Sequence, residues 1–287
     1  MSDAVFQVQD LRFAYPRNKE ETIKGISFEF SQGEIFGFLG PSGAGKSTTQ
    51  KLLIKMLKDY KGQALYRGKD LKAYGKEFFS EIGVGFEMPV HFSKLTALEN
   101  IEFFKRLYPR HTDVESLMKR IGLWEHRNKK LSEYSKGMKM RLNFVRALLN
   151  DPKVLFLDEP TNGLDPHNAR IIKDIILEFR AAGGTAFLTT HLMHDADELC
   201  DRVAFIAEGE IREIDSPKNL KLRFGQRTIT VEYEDGERCI ETFDMTTLRK
   251  NELFFDIMRT KNLTTIHSGE TTLDDIFIKV TGVKLHG

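Results

Sequence analysis

The opening stretch AVFQVQDLRFAY alternates apolar and polar residues in part, and GISFEFSQGEIFGFLG holds two β-rich runs broken at Ser31-Gln32-Gly33. Both patterns predict strands. A glycine-rich turn follows, then STTQKLLIKMLKDY, in which Thr49, Leu52, Leu53 and Met56 recur at helical spacing. That spacing predicts an amphipathic helix stopped by Gly62. A short β segment, GQALYRGKDL, precedes EIGVGFEMP. From Lys94 to about Asn150 the period becomes helical throughout, in LTALENIEFFKRLY, DVESLMKRIGLW and SKGMKMRLNFVRALLN. This predicts a helical insert over about 94–150. KVLFLDEP restores β character. It is followed by a helix (HNARIIKDIILEFRAAG), a strand (GTAFLTTH), a short helix (DADELC) and RVAFIAEGEIREI. Strands alternating with helices imply a mainly parallel sheet.

Past Pro217 the pattern changes again. RTITVEYEDGERCIETF predicts a hairpin over Asp235-Gly236. NELFFDIMR and TLDDIFIKVTG predict helices around a short strand, the second packing Leu273, Ile276, Phe277 and Val280 on that hairpin. The expected organisation is a large α/β domain over 1–217 and a small α+β appendage over 218–287. No internal repeat or low-complexity segment breaks this scheme.

Composition narrows the class. With 43 basic and 42 acidic residues among 287, the net charge is +1, which argues against a generally basic nucleic-acid binder. Cys200 and Cys239, far apart, read as reduced cytosolic thiols. The N-terminus has no apolar signal core. Runs such as IFGFLG and VLFLD fall far short of the roughly 20 residues that span a bilayer. A soluble protein is expected, reaching a membrane only through a partner.

The strongest chemical signal is Gly40-Pro41-Ser42-Gly43-Ala44-Gly45-Lys46-Ser47, followed by Thr48. It fits G-x-x-x-x-G-K-[ST] between a strand and a helix, the context a phosphate loop requires. The glycines let backbone N–H groups turn inward around a phosphate. Lys46 reaches the β- and γ-phosphates, Ser47 offers a hydroxyl to Mg²⁺, and the helix N-terminus adds positive potential. The second signal is an apolar strand ending in two acids, Val154–Leu157 and then Asp158-Glu159. Ligands bind at the C-terminal ends of such strands. Asp158 is placed to hold Mg²⁺, directly or through water, and Glu159 to activate the attacking water. An acidic turn after a strand is ordinary by itself; downstream of a phosphate loop it becomes a metal and base pair.

The segment Tyr134-Ser135-Lys136-Gly137-Met138-Lys139, before a helix and the carboxylate strand, resembles the signature sequence of the ATP-binding cassette family. Ser135 suits an N-cap, and Met138, Leu142, Val145 and Leu149 give the helix an apolar face. The resemblance covers about residues 3–217. It implies a P-loop NTPase cassette: a RecA-like core, an antiparallel β subdomain and the helical insert. It implies ATP as ligand, Mg²⁺ as metal and ATPase activity. Tyr15 sits where the adenine-stacking aromatic belongs. Gly163-Leu164-Asp165 resembles the D-loop, and His191 the switch histidine at the γ-phosphate. Glu87 stands where most members carry a Gln that links Mg²⁺ to the transporter contact. Tyr134, Lys136 and Met138 replace the commoner Leu, Gly and Gln of the signature.

The S-x-G-M form and the closing Thr272–Gly282 helix resemble the type-2 exporter branch, which includes drug, antibiotic and polymer exporters. The resemblance implies two cassettes, homo- or heterodimeric, clasping two ATP molecules head to tail. Ser135 and Gly137 would then meet the partner's nucleotide, and Asp165 of the D-loop counts among the nucleotide-binding residues. It further implies a separate transmembrane permease subunit and a peripheral place on the cytoplasmic face of the membrane, with no nucleic acid expected. The permease would dock between Glu87 and the helical insert; Phe86, Met88, Phe92, Phe103 and Phe104 are the candidate contacts, with packing inside the insert as their other reading. Two other readings stand beside this one. A soluble cassette ATPase acting on nucleic acid or ribosomes usually carries long coiled coils or two cassettes, and neither is present here. A binding module without catalysis sits poorly with an intact Lys46, Asp158, Glu159 and His191.

Overall fold

The computed structural model describes residues 4–16, 18, 20–88, 90–110, 112–225, 228–269 and 271–284. Pro89 of the VGFEMP segment and Arg227, the expected first hairpin residue, lie outside them, as do the extreme ends of both expected domains. In chain order the elements begin with β1 (Ala4–Phe13), β2 (Ile23–Ser31), β3 (Ile35–Leu39), α1 (Lys46–Leu53), β4 (Lys61–Tyr66), β5 (Lys69–Asp70), α2 (Glu77–Glu81) and β6 (Ile82–Gly85). Then come α3 (Ala97–Lys105), α4 (Val114–Arg120), α5 (Lys136–Ala147), β7 (Val154–Asp158), α6 (Pro166–Ala181), β8 (Thr185–Thr190), α7 (Met193–Leu199), β9 (Arg202–Ala207) and β10 (Glu210–Asp215). The rest is α8 (Pro217–Phe224), β11 (Thr228–Glu234), β12 (Arg238–Asp244), α9 (Glu252–Thr260), β13 (Asn262–Gly269) and α10 (Leu273–Thr281). One compact unit runs to Pro217; the other is Lys218–Gly282.

Three strands of the first unit, β3, β7 and β8, are buried at every position. That is what continuous apolar runs covered on both faces produce. They form the centre of a six-stranded sheet in the order β10-β9-β3-β8-β7-β6, parallel from β9 to β6 with β10 antiparallel at the edge. A second, antiparallel sheet has the order β2-β1-β4-β5. Aromatic side chains join the two. Phe187 of β8 lies 5.6 Å from Phe30 of β2, 5.6 Å from Phe38 of β3 and 5.7 Å from Phe156 of β7, centroid to centroid. Burial of each such ring is worth about 1.5–3 kcal/mol, and the ring contacts add direction. This core fixes the sheet whose strand ends carry the site.

α1 is shorter than its periodicity predicts. It ends at Leu53, and Lys55 turns left-handed with φ 61°. The N–H groups of Met56 and Leu57 close back on the Lys51 carbonyl at 2.9 and 3.1 Å, and Met56 is exposed rather than on a packed face. Gly62 is no helix stop: it sits in β4, where a Cβ would come 2.1 Å from the carbonyl oxygen of Asp10 in bulged β1. The close strand approach demands glycine.

The second unit holds a three-stranded antiparallel sheet, β12-β11-β13. Its core is Val231, Tyr233, Phe243 and Ile257, with Phe254 and Leu248 packed on it. The hairpin is therefore covered by α9. Leu273, Ile276 and Phe277 of α10 are buried, and Val280 only half so, but none of the four belongs to that cluster. A Thr272/Asp275 capping box starts α10 shortly after β13.

Candidate functional site

The phosphate loop begins flush with the sheet: a Cβ on Gly40 would lie 2.1 Å from the Ile206 carbonyl oxygen of β9. Gly43 and Gly45 adopt φ of 82° and 108°, which only glycine takes without strain. Ala44 is buried, and its carbonyl accepts the Gly209 N–H at 3.1 Å. The loop thus carries Pro41 and Ser42 around a bend and ends at the N-terminus of α1. Lys46 is the first residue of α1. Its ammonium donates to the carbonyls of Gly40 (2.6 Å) and Pro41 (3.1 Å) and lies 3.8 Å from Glu159 Oε1. Burial pushes the Lys46 pKa down, an effect that Glu159, Asp158 and Glu87 oppose.

The carboxylates sit at the C-terminal end of β7, level with β8 through the Asp158–Thr189 pairing. Asp158 Oδ1 accepts from the hydroxyls of Ser47 (3.0 Å) and Thr189. Glu159 is left-handed, with φ 50°, and is only 4% exposed. Such backbone in a bulky residue stores about 1–3 kcal/mol and clusters at functional sites. Its N–H donates to the Thr189 carbonyl at 2.9 Å. Its Oε2 accepts from Thr190 Oγ1 at 2.8 Å, and its Oε1 from the His191 N–H at 3.0 Å, with His191 Nδ1 at 2.8 Å. Thr189 and Thr190 orient both acids and were missed in the sequence reading. The signal that would have found them is the Thr-Thr-His end of a strand running beside the acidic one.

Tyr15 reaches the same place, its hydroxyl 3.1 Å from Thr48 Oγ1 and its ring edge-on to Phe13. Glu87 is exposed and receives a long hydrogen bond (3.4 Å) from Asn162. It lines a groove shared with Ser47 and Asp158. Among the described residues, no hydrogen bond joins it to either of them.

The signature forms a separate cluster. Ser135 caps α5 by accepting the Met138 N–H at 3.2 Å. A Cβ on Gly137 would rest 3.6 Å from Leu164, which places the signature beside the D-loop. Asp165 caps α6, and its bonds from Asn168 hold its carboxyl below the usual range. Among the described residues, no hydrogen bond or ion pair joins Ser135, Gly137 or Asp165 to the phosphate loop.

The groove behind Glu87 measures about 760 Å³ and is lined by Phe86, Met88, His91, Phe92, Phe104 and Arg146 among others. Met88 is 83% exposed, and Phe92 and Phe103 are 45% and 46% exposed. In His91, burial and then Arg146 depress the imidazole pKa to about 4. No helix among the described residues is long and apolar enough to cross a membrane. Cys200 and Cys239 are unpaired.

A glycine-rich loop between β3 and a helix, opposed by two acids at the C-terminal end of β7 in the same parallel sheet, defines a P-loop nucleotide hydrolase. Residues 23–162 match the family model for ABC transporters, and residues 227–270 match that for the fluoroquinolone efflux ABC transporter C-terminal domain. The chain is 50% identical over 284 residues to a fluoroquinolones export ATP-binding protein of Mycobacterium tuberculosis, covering 98% of this chain and 94% of that one. It is 33% identical to a linearmycin resistance ATP-binding protein of Bacillus subtilis, covering 78% and 73%. Among solved structures, an ATP-binding subunit of an ABC transporter superposes with a TM-score of 0.70 at 26% identity, covering 77% and 93%. The structure of cbiO1 from Clostridium perfringens, part of the ABC transporter complex cbiONQ, gives 0.66 at 28% identity, covering 78% and 93%. The chain belongs to the ATP-binding cassette transporter family, as an ATP-binding and ATP-hydrolysing subunit of the export type.

Proposed function

We propose that this subunit works on the cytoplasmic face of a membrane, docked on a separate permease, and powers export of amphipathic drugs of the fluoroquinolone type. The drug class is taken from the 50% identical relative and the matching C-terminal model. The observation that carries the catalytic reading is the pairing of Ser47 with Asp158 and of His191 with Glu159 at adjoining strand ends.

In this reading the loop N–H groups of Gly40–Ser47 and the Lys46 ammonium hold the triphosphate of ATP, with Thr48 beside them and the Tyr15 ring under adenine. Lys46 exchanges its loop carbonyls for phosphate oxygens. The donors for Mg²⁺ are all hard oxygens, Ser47 Oγ and the Asp158 carboxylate, with Glu87 across the groove. Among the described residues no cluster of three or more His, Cys, Asp or Glu forms a metal cage. That fits an ion held by one or two carboxylates plus phosphates. Mg²⁺ when bound would neutralise the charge that develops on the phosphates. Glu159, set by Thr190 and the His191 N–H, takes the proton of the attacking water, and His191 faces the γ-phosphate. Among the described residues, no hydrogen bond or ion pair joins Ser135, Gly137 or Asp165 to their own loop. They face the nucleotide of a second cassette, so the nucleotide acts as glue and hydrolysis parts the pair. The permease's cytoplasmic helix enters the groove at Met88, Phe92 and Phe103.

The test is drug accumulation in cells lacking this chain, complemented with wild type or Glu159→Gln. Wild type is expected to lower intracellular fluoroquinolone and the variant to leave it high. Equal accumulation in both would remove the drug assignment.

A further inference from the structure

Lys173 of α6 is 8% exposed, yet the reaction as derived above makes no use of it. Its ammonium sits between two carboxylates of α7, 3.3 Å from Asp195 Oδ1 and in contact with Glu198 Oε2. The other Asp195 oxygen accepts the hydroxyl of Thr161, itself 5% exposed. Arg170, one turn before Lys173, holds the second Glu198 oxygen at 2.6 Å and Asp174 at 2.9 Å. Burial disfavours the Lys173 charge, but its hydrogen bonds to Glu198 and Asp195 and the charges of both acids outweigh that and hold the pKa up.

The places of these residues in the chain give the cluster its meaning. Thr161 follows Glu159 by two residues. Asp195 lies four residues beyond His191, in the first turn of α7. Lys173 lies on the helix capped by Asp165. A buried ion cluster is a poor stabiliser, because desolvation consumes most of its Coulombic gain. What it supplies is direction: each charge fixes the lengths and angles of its neighbours. Here the fixed directions run between Thr161 in the loop after β7, Asp195 and Glu198 on α7, the helix that follows the His191 loop, and Lys173 on α6.

We propose that Lys173, Asp195 and Thr161 form a positioning clamp that sets His191 against Glu159 and ties both to the helix behind Asp165. The clamp touches no substrate and acts through His191. It rests on the roles given to Glu159 and His191 above. Seating of the D-loop by a second cassette would be felt at His191 through α6 and Lys173.

The test uses the full-length chain as Lys173→Met, Lys173→Arg and Asp195→Asn. Lys173→Met keeps the volume and removes the charge. It is expected to lower kcat about 10- to 100-fold, the scale of a small misplacement of reacting groups, while KM for ATP stays within about twofold. Lys173→Arg is expected to recover most of the rate. Amide hydrogen exchange is expected to quicken over 190–195 in Lys173→Met and Asp195→Asn, and to stay unchanged in β3. Unchanged kcat, KM rising in step with falling kcat, or Arg as slow as Met would each overturn the clamp. Unchanged exchange over 190–195 would do the same whatever the kinetics. Should Glu159→Gln hydrolyse ATP like wild type, the base assignment fails instead, and exchange alone then decides the clamp.

Discussion

Nδ1 of His191 lies 2.8 Å from Oε1 of Glu159, and the same oxygen accepts the backbone N–H of His191 at 3.0 Å. The proposed base and the proposed switch histidine are thus one hydrogen-bonded unit, with Thr190 on the other carboxylate oxygen. Replacing Glu159 by Gln keeps the shape but removes the proton acceptor. ATP binding is expected to persist while turnover falls about 100-fold or more, the usual worth of a general base. Equilibrium nucleotide binding and single-turnover hydrolysis, measured on the same preparation, separate the two. Hydrolysis at the wild-type rate would assign the base elsewhere.

Lys46 predicts an alkaline limit on binding. Its pKa is lowered from the ordinary 10.5 by burial, whereas a bound triphosphate favours the charged form. The free protein therefore loses the Lys46 proton at a lower pH than the complex does. Affinity is full below the free-protein pKa and declines as pH rises through it, beginning below 10.5. Calorimetry in buffers of different ionisation enthalpy is expected to show proton uptake on ATP binding in that range. Lys46→Ala is expected to abolish the uptake and most of the affinity. Uptake that persists in Lys46→Ala would place the titrating group elsewhere.

The parts of this site visible in the sequence are those fixed by local backbone chemistry. Gly43 and Gly45 announce left-handed turns, and Leu157-Asp158-Glu159 announces a buried strand with charges at its end. Thr189 and Thr190 were hidden because their role depends on the parallel register that sets Asp158 beside Thr189. No local pattern encodes that register. The left-handed Glu159 was equally silent. The length of α1 failed for a related reason. The apolar spacing ran on through Met56, but Lys55 ended the helix by turning left-handed, a conformation with no sequence mark at a lysine. Phe254 and Ile257 of α9 pack in the hairpin's core, which the sequence left open because α9 and α10 are both amphipathic and periodicity does not say which helix covers which face.

Gly137 separates a role in folding from a role between two chains. A Cβ there would rest 3.6 Å from Leu164, an ordinary contact, so the fold has room for a side chain. Gly137→Asp puts a carboxylate at the N-terminal end of α5, where it suits the helix dipole but would oppose a facing phosphate. Nucleotide affinity and thermal stability of the single chain are expected to match wild type. In a Glu159→Gln background, ATP-dependent dimerisation by size exclusion is expected to vanish. A dimer that still forms would remove the signature from the interface.

His91 gives the chain an acid-sensitive joint in the groove wall. Its Nε2 lies 3.2 Å from the Lys139 carbonyl of α5 and so carries the hydrogen, while Nδ1 is buried without a partner among the described residues. Burial first, then the Arg146 charge, lowers its pKa from 6.5 to about 4. Between those values the unfolded chain binds a proton that the folded chain refuses, so stability falls as pH drops from about 6.5 and the loss is complete below about 4. Allowing for the solvent that reaches the ring, the loss is about 1–2 kcal/mol. Carboxylates titrate in the same window, so the decisive comparison is with His91→Gln, which keeps a donor for the Lys139 carbonyl and cannot gain the proton. The melting temperature of the wild type is expected to fall more steeply than that of His91→Gln between pH 6.5 and 4. Parallel curves would mean that His91 takes up its proton in the folded chain as readily as in the unfolded one.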